Sequence, residues 1–188
     1  MKTAFGSLKN HFLISMPQLS DPAFQQTIVY LCEHTPEGAF GLIINRPSDI
    51  VFTDLATHLG INVLDRRMAD VPIFLGGPVE SERGFILHSR EKSFINELPI
   101  TEEISLSASF AVIEEIARGE APESFLISLG CSGWDAGQLE DEISQNQWLV
   151  CEADLDVLFN TSSDLQFSAA TKVLGFDMSR LSPDVGHC

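Results

Sequence analysis

The chain has 188 residues, of which 44% are hydrophobic and 20% charged, a composition that predicts a single globular domain with a substantial core. Eleven basic and 27 acidic residues give a formal net charge of −16, which repels phosphate backbones and anionic lipids and argues against direct binding to nucleic acid or membranes. The sequence has no apolar run of about 18 residues and no signal peptide pattern, so we expect a cytoplasmic protein.

The first elements in the chain are predicted to be a short buried strand and then the two strands of a hairpin. Residues 11–16 and 27–34 are rich in β-branched and aromatic side chains and predict strands. Residues 39–45 predict the strand that returns after a turn at Pro36 and Gly38.

The next segment predicts a short helix and a second hairpin. Residues 52–60 are typical of a helix with Thr53 as its N-cap and Gly60 as its stop. Residues 72–78 and 84–89 predict two strands joined by the charged turn between them.

After the second hairpin, helices alternate with strands. The predicted helices are 106–118, 135–146 with Asp135 as its cap, 154–160 and 164–175, and the predicted strands are 124–130 and 147–153. Hairpins followed by alternating elements favour an α+β fold with a mixed sheet over a doubly wound parallel fold.

The four cysteines do not suggest a metal centre. None of them belongs to a CxxC pair, and a cytoplasmic location predicts free thiols. No phosphate-binding glycine motif or metalloprotease motif is present. We therefore expect neither a bound metal nor a cofactor.

The stretch LGCSGWDAGQLE, residues 129–140, raises the possibility of a reactive thiol. Cys131 follows a predicted strand and precedes a predicted helix, whose dipole would lower the pKa of the thiol. Cys131 would then act as a nucleophile with His88 as its base. The alternative is that Cys131 is a small buried residue at the end of a strand and that His88 is a hydrogen-bonded sheet residue.

Other candidate binding residues lie at predicted strand ends and turns. Gly76 and Gly77 either present backbone N–H groups to an anion or form a turn. Arg46 and Arg83 either pair with carboxylates of this acidic chain or clamp an acidic ligand. Trp134 either seals the core or stacks on a ligand.

Five motifs occur in order along the chain: MPQLSDPAFQQTIVYLCEH, GAFGLIINRP, FLGGPVESERGFILH, GCSGWDAGQLEDEISQNQWL and AATKVLGFDMSRLSPDVGH. Together they resemble the bacterial YqgE/AlgH family over about residues 12–187. The resemblance implies a single-domain cytoplasmic protein with an α+β fold around a curved mixed sheet, and the AlgH name refers to a proposed regulatory role in alginate production.

The family's motif positions correspond here to Pro17, Asp21, Arg46, Pro47, Gly76, Gly77, Pro78, Arg83, Gly84, His88, Gly133, Trp134, Gln138, Glu140 and Trp148. Position 131 departs from the pattern, since the family often has an aromatic residue where this chain has Cys131.

Two functional hypotheses follow. In the first, the protein is a binding or regulatory module for a small molecule or a partner protein. Its ligand-binding candidates are Arg46, Pro47, Gly76, Gly77, Arg83, Trp134 and Gln138. In the second, it is a thiol-dependent enzyme that uses Cys131 and His88. We expect one domain over residues 1–188, with flexible ends at 1–10 and 183–188, and leave the oligomeric state open.

Overall fold

The computed structural model describes residues 6–175. Within this range the ten strands are His11–Ser15 (β1), Ile28–Thr35 (β2), Gly38–Ile43 (β3), Pro47–Val51 (β4), Pro72–Leu75 (β5), Val79–Ser89 (β6), Leu98–Pro99 (β7), Ile104–Ser107 (β8), Phe125–Asp135 (β9) and Trp148–Glu152 (β10). The four α-helices are Phe52–His58 (α1), Phe110–Arg118 (α2), Gln138–Ser144 (α3) and Ser163–Val173 (α4), and a π-helix spans Asp156–Asn160.

The strands form one curled, mixed sheet, which confirms the predicted α+β class. Its main path runs β10-β1-β2-β3-β9-β6-β8-β7, and β4 and β5 branch from it. All pairings are antiparallel except that of β5 with β9. The first predicted hairpin is confirmed as the pair β2–β3.

The branch lies where one edge of β9 changes partner. The first part of β9, Ile127–Leu129, pairs with β5, whereas its last part, Ser132–Asp135, pairs with β3. Gly76 stands at the change. Its N–H donates to the carbonyl of Leu129 at 2.8 Å, and its carbonyl accepts from the N–H of Ile43, also at 2.8 Å.

Glycine is required at this branch because two pieces of backbone approach closely. A Cβ atom at Gly76 would collide with the hydroxyl of Ser128 and the carbonyl of Gly130. Gly77, at φ +149°, has no room for a Cβ atom beside the carbonyl of Cys131. Gly130 has φ +72°, and a Cβ atom there would lie 2.6 Å from the carbonyl oxygen of Gly77.

Both faces of the sheet are buried along β1, β2 and most of β9, so these strands are largely apolar, whereas the first half of β6 is exposed. Along β1 to β3, neighbouring residues alternate between an inner core and a second core on the opposite face, as Phe12 and Leu13 do. The π-helix and α4 cover the inner core, and α3 covers the second. A third core, which includes Ile86 and Ile127, lies under α1 and α2.

The second predicted hairpin is wrong. Strands β5 and β6 do not pair with each other, because each pairs with β9 instead. The segment predicted as a charged turn belongs to β6, which begins at Val79, and its pairing with β9 is irregular between Val79 and Gly84. Glu80 lies in this irregular part with φ +47°.

Three helix starts differ from the prediction. The helix predicted from residue 106 begins at Phe110, because the preceding residues form β8, which is buried and paired with both β6 and β7. Asp135 ends β9 rather than capping α3, whose N-cap is Gly137. At α1 the N-cap is Val51 rather than Thr53.

The remaining predicted elements are present, with small shifts at their ends. Residues 6–175 contain no helix that is long and apolar enough to cross a membrane. The N-terminal segment contacts the sheet, since the N–H of Leu8 donates to Nδ1 of His34 at 2.9 Å. The expected flexibility of 1–5 and 183–188 concerns positions outside the described range.

The strand junction gives a direct test with a matched control. We expect Gly76→Ala to lower the free energy of unfolding by about 3 kcal/mol or more, because no rotamer can relieve a collision between Cβ and backbone. Gly133→Ala, at an exposed position of β9 where a Cβ atom would meet no other atom within 4 Å, should change it by less than about 0.5 kcal/mol. Urea denaturation followed by circular dichroism measures both, and equal effects would contradict the junction's role.

Candidate functional site

Both tryptophans of the chain share one carboxylate. The Nε1–H of Trp134 donates to Oε2 of Glu142 at 2.8 Å, and the Nε1–H of Trp148 donates to the same oxygen at 2.7 Å. The other oxygen, Oε1, accepts from Nε2 of Gln138 at 2.9 Å. An ionised carboxylate only accepts hydrogen bonds, so it matches these three donors.

The loop before β2 closes this cluster. Phe24 packs against both indoles, with ring centroids 6.2 Å from Trp134 and 5.4 Å from Trp148. The guanidinium of Arg46 fixes the loop, because it donates to the carbonyls of Ala23 at 2.6 Å and Gln25 at 3.0 Å. Arg46 therefore binds backbone carbonyls, which neither sequence interpretation anticipated.

The structure thus links Arg46, Trp134 and Gln138 through their own hydrogen bonds and packing. Trp134 is 6% exposed and its indole N–H already has a partner. Oε1 of Gln138 accepts from the N–H of Asp135 at 3.0 Å, which ties α3 to the end of β9. These three candidates hold α3 and the loop onto the sheet.

Of the other candidates, Pro47, Gly76 and Gly77 adjoin Arg46 through the backbone, since the N–H of Leu75 donates to the carbonyl of Arg46 at 2.8 Å. Pro47 begins β4, and Gly76 and Gly77 form the strand junction, where the N–H of Gly76 is already bonded to β9. Arg83 is exposed, donates to Glu80 at 3.0 Å and lies 5.1 Å from the ring centroid of Phe85. None of the seven candidates lines the cavity that α1 and α2 form on another face.

The structure does not bring Cys131 and His88 together. His88 pairs with Phe125 on β9, six residues before Cys131, which is roughly 20 Å along a strand. They also lie on opposite faces of the sheet. Cys131 packs in the inner core, whereas the His88 ring contacts Phe94, which packs against the third core.

His88 is a buried sheet residue with both ring nitrogens satisfied. It is 0% exposed. Its Nδ1 lies 2.9 Å from the carbonyl oxygen of Ser89, which can only accept, so Nδ1 carries a proton. Nε2 lies 2.9 Å from the hydroxyl of Ser107.

The three thiols within residues 6–175 are buried and unactivated. Burial and, after it, the carboxylate of Glu80 raise the pKa of Cys131, while Arg83 lowers it. Burial, followed by the neighbouring Cys131, raises the pKa of Cys32. Burial also raises the pKa of Cys151 to about 11. Cys131 lies within β9 rather than at a helix N-terminus, so the prediction that a helix dipole lowers its pKa is wrong.

A cavity of about 740 Å³, which we call the α1–α2 groove, opens on another face of the molecule. Helices α1 and α2 form its walls, and β4, β6 and β9 contribute to its floor. The floor is apolar and contains the buried Ile86 and Ile113 together with Leu129. At the rim, Phe110 is 50% exposed and Leu59 is 38% exposed.

The charged groups of the α1–α2 groove are acidic. Asp54 and Glu82 line it together with His58, and no lysine or arginine is among its lining residues. The carboxylate of Asp54 accepts from the N–H of Val51 at 3.0 Å and so caps α1. Residues 6–175 contain no group of three or more potential metal ligands, in this groove or elsewhere.

Sequence reasoning missed the α1–α2 groove because its residues come from five elements and are ordinary types. One signal was available at Phe110, which fits the apolar stripe of α2 with Ile113 and Ala117. Ile113 and Ala117 are buried, but Phe110 lies at the first position of the helix and remains half-exposed. Phe110 alone is a weak signal, since single exposed apolar side chains are common, and only its position beside the apolar floor of the groove makes it informative.

Comparisons with known proteins agree with the resemblance inferred from the motifs. A family model described as AlgH-like matches residues 12–179. A UPF0301 protein of Marinomonas is 63% identical over 187 residues, covering 100% of both chains, and one of Pseudomonas fluorescens is 44% identical over 96% of this chain and 95% of its own.

Two solved structures are also similar. The solution structure of the AlgH protein from Pseudomonas aeruginosa matches over 100% of both chains with a TM-score of 0.80 and 42% identity. A crystal structure of a Corynebacterium diphtheriae protein matches over 97% of this chain and 92% of its own, with a TM-score of 0.69. Its identity is 15%, so this second likeness concerns the fold alone.

Removing the charge of the shared carboxylate should lower the stability of the protein. We expect Glu142→Gln to lower the free energy of unfolding by about 1–3 kcal/mol, because an amide turns one acceptor into a donor facing the existing donors. Asp141→Asn on the same helix is the control, since its exposed side chain makes no hydrogen bond within the described structure. Thermal unfolding followed by circular dichroism measures both stabilities. An equal loss in the two variants would contradict the proposed role of Glu142.

The buried thiols should be alkylated slowly in the folded protein. At pH 7 we expect iodoacetamide to modify Cys32, Cys131 and Cys151 at least about tenfold more slowly in the folded than in the unfolded protein, since burial and raised pKa values reduce the thiolate. For Cys151 the rate should keep rising with pH towards about 11, because the thiolate fraction grows until its pKa is reached. Peptide mass spectrometry resolves each site, and fastest labelling at Cys131 would restore the reactive-thiol hypothesis.

Proposed function

We propose that this chain, which belongs to the AlgH-like family, is a cytoplasmic binding module that receives a basic amphipathic segment of a partner protein in the α1–α2 groove. The support is one observation: an apolar floor between two helices, with half-exposed apolar side chains at an acidic rim. Protein interfaces have this arrangement of an apolar centre and a polar rim.

The shape and chemistry of the α1–α2 groove favour a protein segment over a small metabolite. Small-molecule sites fix orientation with a few polar groups placed inside a cleft. Here the polar side chains of Asp54, His58 and Glu82 are all exposed to solvent, and the buried floor residues are apolar. An amphipathic helix that lays its apolar face in a groove needs only such a floor.

The charge of the α1–α2 groove favours a basic partner. The α1–α2 groove carries carboxylates without a lysine or arginine, in a chain of net charge −16. A basic segment is therefore attracted, whereas nucleic acid and anionic lipid are repelled. We accordingly propose no direct contact with DNA or RNA.

The thiol-dependent alternative has no comparable support. Cys131 and His88 lie roughly 20 Å apart along β9 and on opposite faces of the sheet, so His88 cannot activate the thiol. The raised pKa of Cys131 also disfavours the thiolate that a nucleophile requires.

A model peptide tests the proposal. The probe is a fluorescein-labelled 18-residue helix of leucine and lysine with an apolar face, compared with a leucine and glutamate version. We expect the lysine peptide to bind and the glutamate peptide not to bind, with affinity falling as salt rises. Phe110→Ser should weaken binding at least about tenfold, because an exposed aromatic anchor is lost.

Two controls separate docking in the α1–α2 groove from general attraction to an acidic protein. Glu82→Lys in the groove should weaken binding about tenfold, whereas Glu102→Lys, an equal charge change at an exposed residue outside it, should weaken it less than about twofold. Ile95→Ser removes another exposed apolar side chain and should have no effect. Fluorescence anisotropy measures each affinity, and equal effects of the two charge reversals would refute the proposed site.

A further inference from the structure

Strand β10 forms one edge of the sheet, and among residues 6–175 it pairs only with β1. The N–H of Met16 donates to the carbonyl of Gln147 at 2.9 Å. The N–H of Ala153 donates to the carbonyl of Asn10 at 3.1 Å, so the odd-numbered residues of this segment are bonded to β1. In an antiparallel pair the residues between them direct their N–H and C=O groups away from the partner. These outward residues are Trp148, Val150 and Glu152.

A cavity of about 460 Å³ lies along this edge, and we call it the β10 groove. Its lining is largely apolar and includes Leu8, Ile143 and Val150, which pack against the second core. It also includes one carboxylate, that of the exposed Glu152. Outward backbone groups beside an apolar groove are the arrangement in which an extended segment adds a strand to a sheet.

Helix α4 runs towards the β10 groove. In its first turn, Gln166 lines a cavity with Phe74 of β5 and Phe125 of β9. The helix also contacts β1 and β2, which lie beyond β3 on the way from β9 to β10. Eleven residues of helix span about 16 Å, or about three strand spacings, so the contacts with β1 and β2 belong to its C-terminal part. Gly175, at φ +71°, ends α4, and the chain leaves the helix close to the β10 edge.

The sequence after α4 has the pattern of a strand. Residues 176–182 read FDMSRLS and precede Pro183, which has no N–H to continue a ladder. Phe176 and Met178 are two residues apart, so in an extended chain their apolar side chains share one face. Arg180 shares that face, and its charge is opposite to that of Glu152 in the groove.

We infer that residues 176–182 add a strand to β10 and place Phe176 and Met178 in the β10 groove. This segment is the occupant because it is tethered to α4 beside the groove, which gives it a high local concentration. A second copy of the chain is disfavoured, since two molecules of net charge −16 repel each other. The added strand covers an edge that would otherwise be open to association with other chains. The inference is independent of the α1–α2 groove.

Amide hydrogen exchange of the full chain, followed by nuclear magnetic resonance, tests the added strand. The amides of Leu149 and Cys151 are bonded to β1 and serve as internal references. We expect the amide of Val150 to exchange within about tenfold of these references, because a strand partner protects it. Exchange of Val150 more than about tenfold faster than both references would show an open edge and overturn the inference.

Two variants identify which segment gives the protection. Met178→Asp puts a carboxylate into the apolar groove and should speed exchange of Val150 at least about tenfold, while Leu149 and Cys151 keep their rates. Val185→Asp makes a similar change beyond Pro183, outside the proposed strand, and should leave all three rates unchanged. Unchanged references show that each variant remains folded.

Each outcome decides the inference. Protection of Val150 that is independent of protein concentration, lost in Met178→Asp and kept in Val185→Asp supports it. Protection that falls on dilution would assign the β10 edge to a second copy and overturn it. Equal effects of the two variants, or no effect of Met178→Asp, would also overturn it. The peptide measurements at the α1–α2 groove are made on another face, so either proposal can fail alone.

Discussion

The close approach of two backbone segments, one at Gly76 and Gly77 and the other at Gly130, is the constraint on which the rest of the structure depends. One edge of β9 accepts β5 and then β3, and only residues without Cβ atoms fit where the two partners meet. Because β9 is shared, it carries the β1–β3 part of the sheet at one end and the β4–β6 part at the other. The third core, under α1 and α2, packs on the part of the sheet that contains β4, β5 and β6.

The polar side chains that stand out in the sequence mostly hold peripheral segments onto this framework. Glu142 joins two tryptophans to α3, and Arg46 holds the loop that covers them. Their hydrogen-bonding groups are engaged inside the protein, which leaves few donors or acceptors for a ligand. The α1–α2 groove lies on another face and is formed mainly by common apolar residues.

The sequence predicted most strands and helices because their apolar runs and turn residues are local signals, as the β2–β3 hairpin illustrates. It could not predict the partner of β5, since Gly76-Gly77 looks like a tight turn and the true partner, β9, lies more than 50 residues away. It identified Arg46, Trp134 and Gln138 as unusual but could not reveal that they bind groups within the chain. It missed the α1–α2 groove, because this cavity is assembled by tertiary packing from several elements.

The shared carboxylate has a consequence for how this protein can be observed. Both indoles lie in one cluster, with ring centroids 6.0 Å apart, at the β1–β3 and α3 end of the molecule. Intrinsic tryptophan fluorescence is therefore a local reporter, sensitive to that end and blind to the helices around the α1–α2 groove. A fluorescence melting curve that departs from a whole-chain signal would mean that the two ends of the sheet come apart in separate steps.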